Sequence, residues 1–281
     1  MSRLEALVRR LIPSIPVITH NRILMAPLDL LDRVISWPFG VGSSLPPNRL
    51  RVRVGVGNRI LFNQMQHKSL SINFWLNAFA SGRIGLESSI LDLGCGCGRF
   101  ASTLRDFSFF GARFTGHYTG VDIDREMVDW CRHHFPKNHF TFQLATDFSS
   151  VYNPEGDRGE ALRIDVDDAS QDFVYCISLL THLLEEDVVR YLKEIHRILA
   201  PDRVMQATVF CTDNFGDKPG GRWTFKHQIG EAYVESPRYP EAAVAYTQQW
   251  LEEQCRRVGF ETVELLHKSG GQSLLEARKA R

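Results

Sequence analysis

Apolar residues along this chain follow two rhythms that take turns. Short strand-length segments, led by the apolar run at 90–93, occupy residues 90–93, 118–121, 139–144, 173–177 and 204–211. Runs of that length are the pattern of strands buried on both faces. Between them apolar side chains recur every three or four residues, as in Met127, Val128 and Cys131, or Val188, Tyr191, Leu192, Ile195 and Leu199. That is the spacing of amphipathic helices. Strand and helix in steady alternation predict a parallel sheet with helices on both faces. A helix over about 242–258 and strands over 261–267 and 273–277 complete a doubly wound, mostly parallel seven-stranded α/β sheet.

The first part of the chain breaks this rhythm. Residues 2–12 place Leu4, Leu7, Val8 and Leu11 on one helical face, with Arg3, Arg9 and Arg10 elsewhere, and Pro13 and Pro16 stop the turn. A second helix is expected over 28–37, followed by Pro38 and Phe39. Ser43, Ser44, Pro46 and Pro47 read as a linker, and residues 50–55 alternate like a short extended segment. Residues 1–58 are therefore an N-terminal helical arm and linker, and 59–281 the main domain. That domain opens with a helix over 59–82 whose apolar face carries Phe74, Trp75, Leu76 and Phe79. The arm either packs over the core or a neighbouring subunit, or rests peripherally on a membrane surface; Glu5, Asp29 and Asp32 offset its arginines, which favours packing.

Composition narrows the setting. Lys+Arg and Asp+Glu both total 33, so no long-range field for nucleic acid is expected. The six cysteines form no CxxC pair, as in a reduced, cytoplasmic protein. Cys95, Cys97 and Cys131 beside His133 and His134 are a weak zinc candidate, and no metal is expected.

The chemistry concentrates at residues 88–124. The apolar run 90–93 leads into Gly94, Cys95, Gly96, Cys97 and Gly98, and then into a helix beginning near Arg99. Glycines at every second position permit a tight turn whose main chain a ligand can approach. A second strand ends in Asp122, at the distance where a βαβ nucleotide unit carries its ribose-binding acid. A dinucleotide fingerprint would need glycine at position 99, which is arginine, so a nicotinamide-dependent oxidoreductase is disfavoured. The DxGxGxG pattern, with Asp92 before the first glycine and Asp122 closing the second strand, resembles class I S-adenosylmethionine-dependent methyltransferases. The likeness continues through residues 121–127 and 172–182 and covers about 60–281. The GCGCGR loop and the SLLTHL segment are similar to a bacterial subgroup of that family.

The resemblance implies S-adenosyl-L-methionine as cofactor, held by Asp92, Gly94, Cys95, Gly96, Gly98, Arg99, Asp122, Ile123, Asp147, Phe148 and Ser178. Asp122 would take the ribose hydroxyls, Asp92 the amino group, the helix start at Arg99 the carboxylate, and Asp147 with Phe148 the adenine. His182, after the fourth strand, matches the position of a base in some small-molecule O-methyltransferases; the plainer role is packing or capping. His227 is a weaker candidate. Trp223, Phe225, Tyr233 and Tyr239 either line an acceptor pocket or belong to a hairpin packed on the sheet. The expected activity is methyl transfer to a small-molecule, sugar or lipid-linked acceptor, at oxygen. A non-catalytic protein that keeps the cofactor site as a scaffold remains the alternative.

Overall fold

A computed structural model describes residues 22–36, 45–54, 64–106, 108–109, 111–145, 163–215, 223–267 and 271–281. The expected helix over 2–12 and the expected cofactor-binding residues Asp147 and Phe148 lie outside these. In chain order the strands are β1 (Ser89–Leu93), β2 (Ser108–Phe109), β3 (Ala112–Arg113), β4 (His117–Asp122), β5 (Phe140–Leu144), β6 (Gln171–Cys176), β7 (Leu199–Cys211), β8 (His227–Ile229), β9 (Ala232–Val234), β10 (Val244–Tyr246), β11 (Phe260–Leu266) and β12 (Ser273–Lys279). The helices are α1 (Arg22–Ser36), α2 (Asn48–Arg51), α3 (Gln64–Ala80), α4 (Arg99–Asp106), α5 (Arg125–His134), α6 (Glu185–Ile198) and α7 (Gln248–Val258).

The central strands run in the order β5-β4-β1-β6-β7-β12-β11. The first five are parallel, and β12 is antiparallel to both of its neighbours. This is the Rossmann-like α/β sheet that the alternation predicts. Leu91 and Leu93 of β1 join Val188, Leu192 and Ile195 of α6 and Leu251 of α7 in one core. Ile90 faces the opposite way, into a core with Trp75 of α3, Phe100 of α4 and Val128 of α5. Burial on both faces is why β1 and β6 are rich in apolar residues. The chain leaves β1 toward β4 and β5, then returns to its other side at β6. The C-terminal ends of β1, β4 and β6 therefore surround the crevice at which the strand order reverses.

Three local expectations are corrected. Residues 50–54 are not extended: α2 is followed by a 3₁₀ turn at Val52–Val54. The Leu50 and Arg51 N–H groups donate to the Pro47 carbonyl, and the alternating arginines separate to different sides of the coil. Residues 244–246 are strand β10 rather than helix, because Thr247 is the N-cap of α7, its side chain accepting from Trp250 N–H. Helix α6 ends at Ile198, before Pro201, and β7 begins at once. The tip of β7 pairs with β10, which carries the β9–β8 hairpin. The sheet is thus widened to ten strands. Among the described residues no helix is long and apolar enough to cross a membrane.

Candidate active site

The glycine turn is shaped by its protein neighbours as well as by access to a ligand. Gly96 has φ +54°, and a Cβ there would lie 2.4 Å from Cγ1 of Val54. Gly98 has φ +75°, and a Cβ there would meet the Phe135 ring at 2.9 Å. Gly94, by contrast, is exposed and faces a cavity of about 440 Å³ at the crevice. Its wall includes Asp92, Cys95, Gly96, Arg99, Asp122, Ser178, His182, Phe210, Trp223 and Gln272. A smaller chamber of about 70 Å³ shares Gly94, Asp122, Leu179 and His182 with it and adds Ile123, Ala145 and Ile164. Gly98 lines neither chamber; it seats α4 against Phe135.

Two carboxylates stand at the strand ends. Asp122 closes β4, and its Oδ2 accepts the Gly96 N–H at 2.7 Å while Oδ1 accepts the Asp124 N–H at 2.9 Å. It thereby ties the glycine turn to the start of α5. Burial pushes its pKa up to about 6, partly offset by those backbone donors. Asp92 is 1% exposed. Its Oδ2 accepts from the Tyr175 hydroxyl at 2.7 Å and from the Tyr118 hydroxyl. The sheet register explains both bonds: Asp92 pairs with Tyr175 of β6, while Tyr118 of β4 pairs with Ile90, two residues away on the same face of β1. Burial raises the pKa of Asp92 to about 7 against the pull of the two hydroxyls. Burial also lowers that of Arg99, whose guanidinium lies 5.2 Å from the Phe100 ring centroid.

The sequence reading missed the two tyrosines; the available signal was a hydroxyl-bearing ring inside each of two apolar strands, which needs a buried partner. It also missed Arg53 and Val54, which line the cavity. The Arg53 guanidinium pairs with Asp124 and Glu126, and its Nε donates to the Arg49 carbonyl at 3.0 Å. Arg49 pairs with Glu126 at 2.7 Å, and Leu50 packs with Cys97 and Met127. The segment joining the arm to the main domain is thereby clasped onto the first turn of α5 and forms one wall of the cavity.

His182 ends a 3₁₀ turn after β6. Its Nδ1 lies 2.9 Å from the Glu241 carbonyl oxygen, which only accepts, so Nδ1 bears the proton. Burial holds its pKa below 6.5. Its neutral form therefore carries the basic lone pair on Nε2. Ser178, at φ +61°, donates its N–H to Thr208 Oγ1 at 2.7 Å, and its side chain is hydrogen-bonded to that of Gln272. Trp223 and Phe225 stack beside Phe210. Trp223 lines the cavity, Phe225 is buried behind it, and Tyr239 is 55% exposed. Tyr233 lies in the β8–β9 hairpin, in keeping with the packed-hairpin expectation. His227 is exposed in β8. All six cysteines are free and buried. Among the described residues no cluster of His, Cys, Asp or Glu is arranged to hold a metal.

A family model described as a methyltransferase domain matches residues 91–205, from β1 through the glycine turn and both strand-end acids into β7. Among solved structures, the chain is similar to phosphoethanolamine N-methyltransferase 2 of Haemonchus contortus, determined with phosphomonomethylethanolamine and S-adenosylhomocysteine. Identity is 15%, coverage 74% of this chain and 53% of that one, and the TM-score 0.50. It is also similar to S-adenosylmethionine-dependent methyltransferases of Methanosarcina mazei (18%, 72% and 97%, TM-score 0.47) and Mesorhizobium loti (18%, 73% and 97%, TM-score 0.48). Residues 91–205 thus match a methyltransferase domain, and the Rossmann-like sheet with its glycine turn and strand-end acids agrees with that match. The cavity suits S-adenosylmethionine in size, and in their ionised form its two buried carboxylates could accept from the ammonium and hydroxyls that this nucleoside amino acid presents.

Proposed function

We propose that the enzyme methylates an oxygen of a small-molecule, sugar or lipid-linked acceptor, with His182 as general base. S-adenosylmethionine supplies a methyl group already activated by its sulfonium charge, so the protein's main task is alignment. In this reading Asp122 accepts from the ribose hydroxyls, each carboxylate oxygen using a lone pair that the backbone N–H groups leave. Asp92 receives the cationic amino group. The N–H groups at the start of α4, with Arg99, face the carboxylate. Ile123 borders the adenine side, with Asp147 and Phe148 following β5, and Ser178 closes the cofactor site beside Gln272. Phe210, Trp223 and Gln272 form the acceptor wall.

The observation that carries the base is the Nδ1–H bond of His182 to the Glu241 carbonyl. It orients the ring and fixes the tautomer whose Nε2 can take a proton from an attacking hydroxyl. The test pairs cofactor titration with turnover on a panel of hydroxyl and amine acceptors, for the native protein, Asp122→Asn and His182→Gln. Loss of cofactor affinity in Asp122→Asn, and loss of turnover with intact cofactor affinity in His182→Gln, support the reading. Turnover on amines alone, or an unaffected His182→Gln, overturns it.

A further inference from the structure

Helix α1 has its polar side turned inward. Asp32 and Met25 are buried, and the helix packs against α2. Asp29 Oδ1 accepts the Asn48 N–H at 2.6 Å, and Asp32 pairs with Arg51, which is itself fully buried. The opposite side carries Ile23 at 82% exposure, Leu30 at 65%, Val34 at 58%, Leu24 at 55% and Leu31 at 44%. At about 100° per residue, these five, with Ala26 and Pro27, fill a continuous stripe that contains no charged residue. Arg33 is exposed at its border. A stripe of this kind calls for a covering surface.

Charge and composition select the cover. Both acids of α1 are engaged inward by Asn48, Arg49 and Arg51, which removes them from the outer side. The residues before α1 include Arg3, Arg9 and Arg10 against the single acid Glu5, and Trp37 and Phe39 follow it. An apolar helical stripe bordered by arginine and flanked by aromatic residues is the make-up of a helix lying in a membrane interface. The same helix is held by Asn48 and Arg51, only a few residues before Arg53 and Val54 on the cavity wall.

From this we infer that α1 seats its Ile23–Leu30–Val34 stripe on an anionic lipid bilayer, holding the methyltransferase cavity beside the membrane surface. The inference stands apart from the choice of acceptor atom. The full chain is mixed with phosphatidylcholine vesicles with and without about one-third phosphatidylglycerol, and sedimented. Binding is expected to the mixed vesicles, weaker to phosphatidylcholine alone, and weaker still by on the order of tenfold in Leu30→Glu/Val34→Glu. Because both side chains are exposed, the variant should keep its thermal midpoint and S-adenosylmethionine affinity; Leu30→Ser/Val34→Ser provides the same comparison if it does not. The proposal is overturned if the native chain ignores both vesicles, if the substituted chain binds them equally well, or if the native chain forms a dimer that the substitutions dissolve. Lost cofactor binding with vesicle binding intact would count against the methyltransferase site and leave this inference standing.

Discussion

The Tyr175 hydroxyl, carried on β6, donates a 2.7 Å hydrogen bond to the carboxylate of Asp92 on β1, directly across the parallel ladder. With Tyr118 reaching the same oxygen from the strand on the other side, it offsets part of the burial that raises the pKa of Asp92 to about 7. A carboxyl poised there takes up or releases its proton as a cation arrives.

Cofactor binding should therefore release protons near neutral pH and strengthen as pH rises through about 7. Titration calorimetry in two buffers of different ionisation enthalpy measures the release. Tyr175→Phe removes one donor to the carboxylate, so the pH at which affinity rises should move upward. An unchanged midpoint would mean that the proton resides elsewhere.

The same shift bears on stability. The native state holds a proton on Asp92 that the unfolded chain gives up near 3.8, so this group contributes a destabilisation that grows between about 4 and about 7. Asp92→Asn should accordingly melt above the native protein at pH 8, with the difference shrinking toward pH 5, while binding S-adenosylmethionine more weakly. Thermal unfolding at the two pH values, without cofactor, tests the sign.

Arg53→Ala should loosen the clasp of the linking segment on α5. Its two ion pairs are partly buried, and a loss of roughly 1–2 kcal/mol is expected. We expect this as cofactor affinity weakened by about five- to thirtyfold, mostly through faster dissociation in stopped-flow, with the global fold retained.

Gly96→Ala should destabilise the protein by about 2–4 kcal/mol, since its Cβ meets Val54 at 2.4 Å on a backbone with φ +54°. Adding Val54→Ala should restore the steric part and leave the backbone part, about 1–2 kcal/mol. Denaturant unfolding of the single and double variants separates the two.

For the native enzyme, turnover should fall on acidification with an apparent pKa below 6.5, as His182 gains the proton that burial resists. His182→Gln should lose roughly 10²- to 10⁴-fold in turnover and lose that acid limb, while cofactor affinity remains close to native.

Much of the fold was legible because its information is local. Residues 90–93, apolar but for Asp92, and 173–177, apolar throughout, read as strands, and that reflects helices on both faces of the sheet. Asp124 caps α5 by accepting from the Glu126 and Met127 N–H groups, an interaction contained within one turn of chain. The errors came where a distant partner overrode a local pattern. Residues 50–54 alternate as a strand would, yet they coil because Arg51 finds Asp32 and Arg53 finds α5. Residues 244–246 look helical until β7 offers them a pairing edge.

The sequence by itself determined the strand and helix alternation, the glycine turn, and the two acids at strand ends, since each follows from periodicity and from spacing along one stretch of chain. Only the tertiary structure decided that Tyr118 and Tyr175 share Asp92, that Gly96 makes room for Val54, and that α1 turns its acids toward α2. Those relationships join residues far apart in the chain, and they exist only once strand register and helix packing have brought the groups within hydrogen-bonding or van der Waals distance.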